Sequence, residues 1–323
     1  MAVYTHLGSE RLAELIAAYD VGRLVSAKGI AEGISNSNWL IETTGRDGTG
    51  ARYVLTMYER RIDTDELPFF LGLLDHLAAK GCAVPATIHD THGAGYREID
   101  GKAVALIEFL PGVSPSKPTP VQARSAGAAL ADIHLAGMDF ARSRPNPLTP
   151  DHSAKVLFRF APDRLRRLDP RLAAIADVAD DIAREATQDL PRSIIHTDLF
   201  PDNVLMLGDT VSGLIDFYFA AEGAMAYDLA VTHAAWSFDQ SGDAFEPAIG
   251  RALVDGYESV RRLDPDERDS LPILAQAGCL RFVASRTEDW FDTPADALVR
   301  RKDPMEFVRR LEFYRDRRQK AFP

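Results

Sequence analysis

Residues 194–203 read IIHTDLFPDN, which sets His196, Asp198 and Asn203 in the order His-x-Asp-x-x-x-x-Asn behind two apolar residues. These residue types at this spacing fit phosphoryl transfer to a hydroxyl. That reaction needs a carboxylate to accept or orient the hydroxyl proton, and an amide and a second carboxylate to hold Mg²⁺ against nucleotide phosphates. Asp198 and Asn203 lie five positions apart and can take the first two roles on one loop. Asp216 is the candidate second metal carboxylate, because VSGLIDFYFA places it at the end of another apolar run. Two short strands from 203 to 216 would form a hairpin that returns Asp216 beside Asn203. His196 is read as a buttress of the loop, Asp202 as a loop residue, and Asp228 in AYDLA as either a helix cap or a support for the loop.

His-x-Asp-x-x-x-x-Asn alone is a weak signal. It gains weight from the strand-turn-strand context and from an Asp-Phe pair 18 residues after Asp198. Asp-Phe matches the first two letters of the kinase Asp-Phe-Gly signature, although Tyr218 stands where Gly would follow. A protein kinase would carry Arg rather than Thr197, and a long activation segment ending in Ala-Pro-Glu. That tripeptide is absent, and AYDLA follows Asp216 within about a dozen residues.

The elements that must position these groups can be traced along the chain. Residues 9–19 predict an amphipathic helix with Leu12, Leu15, Ile16 and Tyr19 on one face and Ser9 as N-cap. LVSAKGIAEG, SNWLIETT and ARYVLTMYE predict three strands, separated by the turn-forming GISNS and GRDGTG. A helix over 64–80 presents Leu67, Phe70, Leu71, Leu74 and Leu77 and ends at Gly81. Strands around YREIDG and KAVALIEFL complete a small mixed sheet with one helix.

LPGVSPSKPTP, residues 110–120, holds four prolines in eleven residues and predicts a connector, dividing the chain into 1–109 and 110–323. Beyond it the pattern is mainly helical, over 121–137, 151–188, 223–238, 244–262, 270–291 and 304–319, apart from the β-like 193–219. The fold class expected is α+β with two lobes, a small sheet lobe followed by a larger helical one.

Composition narrows the function. The 323 residues exceed one average domain. The net charge of −11 disfavours nucleic acid and anionic membrane as partners. No run of about 18 apolar residues predicts a membrane span. The opening MAVYTHLGSERLAELI lacks the pattern of a secretory signal, and Ala2 rules out N-myristoylation, so a cytoplasmic protein is expected. Cys82 and Cys279 are read as buried reduced thiols. No Lys is followed by Ser or Thr, which excludes a Walker A loop, and GAGYRE at 93–98 reads as a turn. No Gly-x-Ser-x-Gly occurs. His76, His89, His92, His134, His152 and His233 show no metal spacing.

These motifs together resemble the aminoglycoside-phosphotransferase-like small-molecule kinases, which have a two-lobed protein-kinase-like fold. Within that family the chain resembles the homoserine kinases. The carriers are SAKGIAEGISNSNWLIET, RYVLTMYE with DELPFFLGLLDHLAAKG, LIEFLPG, RPNPLT, and IIHTDLFPDNVLM with GLIDFYFA, in order over roughly residues 24–240.

The resemblance implies an ATP- and Mg²⁺-dependent enzyme that phosphorylates the side-chain hydroxyl of L-homoserine, on the route to threonine. It implies a nucleotide held under a turn containing Ser35, Asn36, Ser37 and Asn38. It also implies adenine held by the backbone of Glu108-Phe109-Leu110, Asp198 as base, and Asn203 and Asp216 as Mg²⁺ ligands. The third-strand Lys or Arg usual in this fold is missing: its slot falls near Thr56, with Arg60 or Arg61 as substitutes and Glu66 as an early helix carboxylate. Arg281 and Arg286 are candidate partners of the substrate carboxylate. The alternatives are a kinase of choline, an aminoglycoside or a sugar derivative, and a regulatory nucleotide-binding pseudokinase.

Overall fold

The computed structural model describes residues 7–30, 36–59, 63–187, 189–293 and 301–322. The chain separates into two compact units, Met1–Pro111 and Gly112–Pro323. In the first, helix α1 (Ser9–Ala17) buries Leu12, Leu15 and Ile16. Its N-cap is Gly8 rather than Ser9, and the helix opens with the Leu12 amide donating to the Gly8 carbonyl at 3.0 Å. Strands β1 (Leu24–Ile30), β2 (Asn36–Thr43), β3 (Ala51–Tyr58), β4 (Thr87–Ile88), β5 (Arg97–Ile99) and β6 (Lys102–Glu108) follow, with helix α2 (Leu67–Ala79) between β3 and β4.

The sheet order is β1-β2-β3-β6-β4, with β5 also on β6. The sequence pointed to a mixed sheet, yet every pairing is antiparallel. The crossover through α2 does return β4 parallel to β3, but β6 lies between them, so no parallel pair forms. Trp39, Ile41, Leu55, Met57, Val104 and Leu106 join the α1 face in one apolar core. Gly81, at φ 81°, ends α2 in the left-handed conformation open to glycine. The preceding Thr64–Glu66 is a 3₁₀ turn, so α2 begins three residues later than its pattern suggested.

The second unit begins with α3 (Pro120–Gly137), started by a reciprocal capping box between Thr119 and Gln122. The helix expected over 151–188 is three helices: α4 (Pro150–Phe158), α5 (Pro162–Leu168) and α6 (Pro170–Ala186). Pro162 and Pro170 supply no N–H for a continuing helix and occupy the first turn of new ones. Then come β7 (Arg192–Ile195), β8 (Val204–Leu207), β9 (Thr210–Leu214), β10 (Ala221–Ala224) and helices α7 (Met225–Trp236), α8 (Pro247–Val260), α9 (Pro265–Asp292) and α10 (Met305–Asp316). Strands β7 and β10 form one antiparallel pair, and β8 and β9 another.

α3 and α8 pack at close range. A Cβ on Gly127 would meet the Leu253 carbonyl oxygen at 2.0 Å, and one on Gly256 the Arg124 oxygen at 2.0 Å. These two glycines let the helices approach until His134 of α3 and Tyr257 of α8 touch. Cys279 is buried, Cys82 is only half-buried, and neither forms a disulfide. Among the described residues, no helix is long and apolar enough to cross a membrane.

Candidate active site

Strand β7 ends in the buried Ile194 and Ile195, and the chain beyond it delivers His196, Thr197 and Asp198 in succession. Asp228, in the first turn of α7, receives them: Oδ2 accepts from the His196 amide at 2.6 Å and Oδ1 from the Thr197 amide at 2.7 Å. His134 meets Asp228 Oδ2 at 3.0 Å through Nε2, and its Nδ1 meets the Tyr257 hydroxyl at 2.8 Å. Asp228, His134 and His196 are all fully buried. Burial pushes the Asp228 carboxyl up, but the His134 hydrogen bond, the neighbouring imidazoles and the His196 amide outweigh it and leave it below the ordinary value. Of the two roles open to Asp228, the structure shows it holding the loop; it makes no helix-cap bond.

His196 closes the loop on itself. Its Nδ1 accepts from the Asp198 amide at 3.2 Å, which leaves Nε2 to donate to the Ile215 carbonyl at 3.0 Å. The ring lies 4.6 Å from that of Phe217. Burial lowers its pKa, so the imidazole is neutral and this tautomer is fixed by its two neighbours. The Ile215 amide in turn donates to the Asn203 carbonyl at 3.0 Å. The hairpin β8–β9 pairs Val204 with Leu214, so Asn203 and Asp216 lie beside each other at its open end, as the sequence predicts.

Three non-glycine residues among those described have positive φ: Asp100, Thr197 and Asp216. Two of the three are therefore in this site. Left-handed backbone in such residues costs about 1–3 kcal/mol and persists only where the surroundings over-determine it. Thr197 is held by all its polar groups. Its N–H goes to Asp228, its hydroxyl to the Phe219 carbonyl at 3.2 Å, and its carbonyl accepts from Arg281 of α9.

Asn203 donates through Nδ2 to the Asp198 carbonyl at 2.8 Å, with Asp198 Oδ2 at 3.5 Å. With the amide nitrogen engaged this way, the amide oxygen is the atom of this side chain that could meet a cation. Together with the Asp216 carboxylate it makes the all-oxygen set that suits a hard cation such as Mg²⁺. The Asp216 carboxyl is pushed up to about 6, first by surrounding protein and then by the charges of Asp198 and Asp202, with Lys302 opposing. Residue 216 is nonetheless open to solvent, so water screens part of the burial contribution and the two like charges are the more durable cause. Excess negative charge at this point favours a bound cation. Among the described residues, no group of three or more His, Cys, Asp or Glu is placed to hold a metal ion, at this hairpin end or elsewhere.

In the first unit, Ser35, Arg60 and Arg61 lie outside the described residues. Asn36, Ser37 and Asn38 belong to strand β2 and not to a turn; they pair with Tyr58, Met57 and Thr56. Their side chains explain the difference, since short polar groups on paired strands bond across the ladder. Ser37 Oγ donates to Glu59 Oε1 at 2.7 Å, and Thr56 Oγ1 donates to Asn38 Oδ1 at 2.9 Å. Glu59 also accepts from Lys102. The buried Thr56 therefore fills the third-strand slot without a charge. Glu108 ends β6 opposite Tyr53, and Phe109 and Leu110 continue beyond the strand, with the Phe109 ring 4.9 Å from the Arg52 guanidinium.

Sequence reasoning set His134 among the scattered core or surface histidines and offered Arg281 to the substrate. The structure commits both to the loop. Their signal was an ionisable residue inside an apolar helical run, IHLAG or CLRFVA, which demands a buried partner. Arg286 is bonded to Glu306 at 2.5 Å and to the Asp303 carbonyl at 2.9 Å.

The sequence pattern of the phosphotransferase enzyme family matches residues 26–263. The homoserine kinase of Methylobacterium sp. (strain 4-46) is 46% identical over 318 residues, covering 98% of this chain and 96% of that one. That of Azorhizobium caulinodans is 45% identical with the same coverage. Among solved structures, amicoumacin kinase hAmiN in complex with AMP-PNP, Ca²⁺ and Ami superposes with a TM-score of 0.72 at 13% identity, covering 96% of this chain and 94% of that chain. Spectinomycin phosphotransferase APH(9)-Ia gives 0.68 at 12%, covering 95% and 94%. These distant structures share the fold, and the relatives are identical at nearly half of the aligned positions: the chain belongs to the phosphotransferase enzyme family, and within it to the homoserine kinases.

Proposed function

We propose that this chain transfers the γ-phosphoryl group of ATP to the side-chain hydroxyl of L-homoserine, giving O-phospho-L-homoserine and ADP, a step on the route to threonine. The observation that carries this reading is identity of about 45% to homoserine kinases over nearly the whole chain. Asp198, Asn203 and Asp216 gathered at one hairpin end support it.

Asp198 is the base that accepts or orients the hydroxyl proton. Asn203 and Asp216 hold Mg²⁺, which when bound neutralises the charge on the β- and γ-phosphate oxygens. Because the transition state is loose and asks little covalent help, catalysis comes from placement, and the hydrogen-bonded loop provides that. In the first unit, the backbone of Glu108-Phe109-Leu110 binds adenine. The start of β2, at Asn36, Ser37 and Asn38, is the stretch of this unit that would approach the phosphates. The reading places the enzyme in the cytoplasm, beside its ATP.

The test is ADP release with ATP, Mg²⁺ and, separately, homoserine, serine, threonine, choline and kanamycin. Release with homoserine alone is expected. Release with choline or kanamycin instead would move the chain to another alcohol, and ATP binding without release to any of them would make it a pseudokinase.

A further inference from the structure

We propose that Arg281 is a positioning residue for Asp198, acting on it from helix α9 through the Thr197 carbonyl and the Asp198 carboxylate. This rests on Asp198 being the base. Arg281 lies 84 residues from the Thr197 carbonyl to which it donates. Its second guanidinium nitrogen stands 3.6 Å from Asp198 Oδ1. The side chain is 6% exposed, with its guanidinium carbon 5.5 Å from the Phe219 ring centre and 4.7 Å from that of Phe282.

The geometry has a physical consequence. Thr197 is left-handed, and its carbonyl belongs to the peptide plane that launches Asp198. Releasing that carbonyl lets the plane rotate toward ordinary backbone and swings the Asp198 carboxylate with it. Arg281 grips the plane with one nitrogen and faces the carboxylate with another, and the aromatic rings beside it fix the fork. The two Asp198 oxygens are thereby distinguished: Oδ1 faces Arg281, and Oδ2 lies 3.5 Å from Asn203 Nδ2. An ammonium reaches one of these partners, not both in a plane. The same burial argues against Arg281 as the grip on the substrate carboxylate, since its fork is occupied inside the fold.

The test compares Arg281→Lys, Arg281→Ala, Asp198→Asn and the double variant Arg281→Lys/Asp198→Asn at saturating ATP. A displacement of about 1 Å at a reacting group can cost about 100-fold, so kcat should fall about 100-fold in Arg281→Ala and about 10-fold in Arg281→Lys. KM for homoserine should stay within about 3-fold in both. Millimolar guanidinium should restore part of kcat to Arg281→Ala and none to Asp198→Asn. The double variant should be no slower than Asp198→Asn alone, because Arg281 acts through that carboxylate. A rise in KM with kcat kept, or additive losses in the double variant, would overturn the proposal. If Arg281→Ala does not fold, Arg281→Lys decides alone, and an unchanged kcat there sinks the idea. Full activity of Asp198→Asn is a different outcome: it removes the base assignment itself.

Discussion

The hairpin end around Asp198 and the strand end around Glu108 are built on opposite principles. Asp198 is fixed by side chains from three helices distant in sequence: His134 on α3, Asp228 on α7 and Arg281 on α9. Glu108, Phe109 and Leu110 simply run off the end of β6, with local ladder pairing and the Glu108 amide donating to the Ala86 carbonyl at 2.9 Å behind them. The difference fits the roles proposed for each. A group that meets a developing charge must be one particular side chain at one position, so the fold over-determines it. A segment that offers backbone groups to a flat heterocycle needs only the right strand direction.

The largest effect that tests this contrast is at the base. Asp198→Asn keeps the shape of the side chain and removes its charge. We expect kcat to fall by about a thousand-fold, as loss of general-base assistance does, while ATP binding measured by calorimetry changes by less than about 3-fold. Next comes Asp216→Asn, which removes one candidate metal oxygen; kcat should fall about 100-fold and the Mg²⁺ concentration for half activation should rise.

The Asp216 carboxyl also gives a pH dependence. Its folded-state value of about 6 lies above the ordinary 3.8, so the folded protein holds this proton more tightly than the unfolded chain does. Ionising it therefore weakens the metal-free fold as pH rises between those values, and the loss is complete above them. Metal-free Asp216→Asn should then melt slightly higher than the parent at pH 8, the gap kept small by solvent around this exposed carboxyl, and the gap should close below pH about 4. In the parent, the proton competes with the cation, so Mg²⁺ affinity should fall about tenfold per pH unit below about 6.

Asp228 yields a stability effect before a kinetic one. Asp228→Asn leaves the amides of His196 and Thr197 with a poorer acceptor and strands His134. Breaking a buried charged partnership of this kind costs about 3–5 kcal/mol, which urea unfolding would read. The sign with pH is opposite to that of Asp216. The Asp228 carboxyl is lowered in the fold, so its stabilisation is present above the ordinary carboxylate range and lost as pH falls through it. Equal stability of the variant and the parent at pH 7 would show that the loop does not depend on this carboxylate.

This asymmetry also governs what could be read from the sequence. That Asp198, Asn203 and Asp216 come together was legible because the hairpin that joins them is short and its apolar runs show in the sequence. The carriers of the loop were not. His134 and Tyr257 meet through the α3–α8 approach at Gly127 and Gly256, and Arg281 comes from α9; a polar residue in an apolar run marks a buried partner but does not name it. The first unit was legible as strands because alternation shows, but its boundaries slipped where polar residues continue a strand. Asn36, Ser37 and Asn38 look like turn formers, yet bonds to Thr56 and Glu59 keep Asn38 and Ser37 in the ladder. The breaks at Pro162 and Pro170 were visible as prolines but were outvoted by helical periodicity on both sides.

The smallest effect expected is the one that most sharpens the contrast. If adenine is recognised by the backbone at residues 108–110, side-chain identity there matters little. Leu110→Ala should change KM for ATP by less than about 3-fold and leave kcat alone. Leu110→Pro deletes the N–H, and losing one hydrogen bond of about 1–1.5 kcal/mol should raise KM for ATP by about tenfold, again with kcat kept. Steady-state kinetics with ATP varied at saturating homoserine separates the two. A tenfold rise in Leu110→Ala would mean the segment reads the nucleotide through its side chain. Its demands on sequence would then be as specific as those at Asp198.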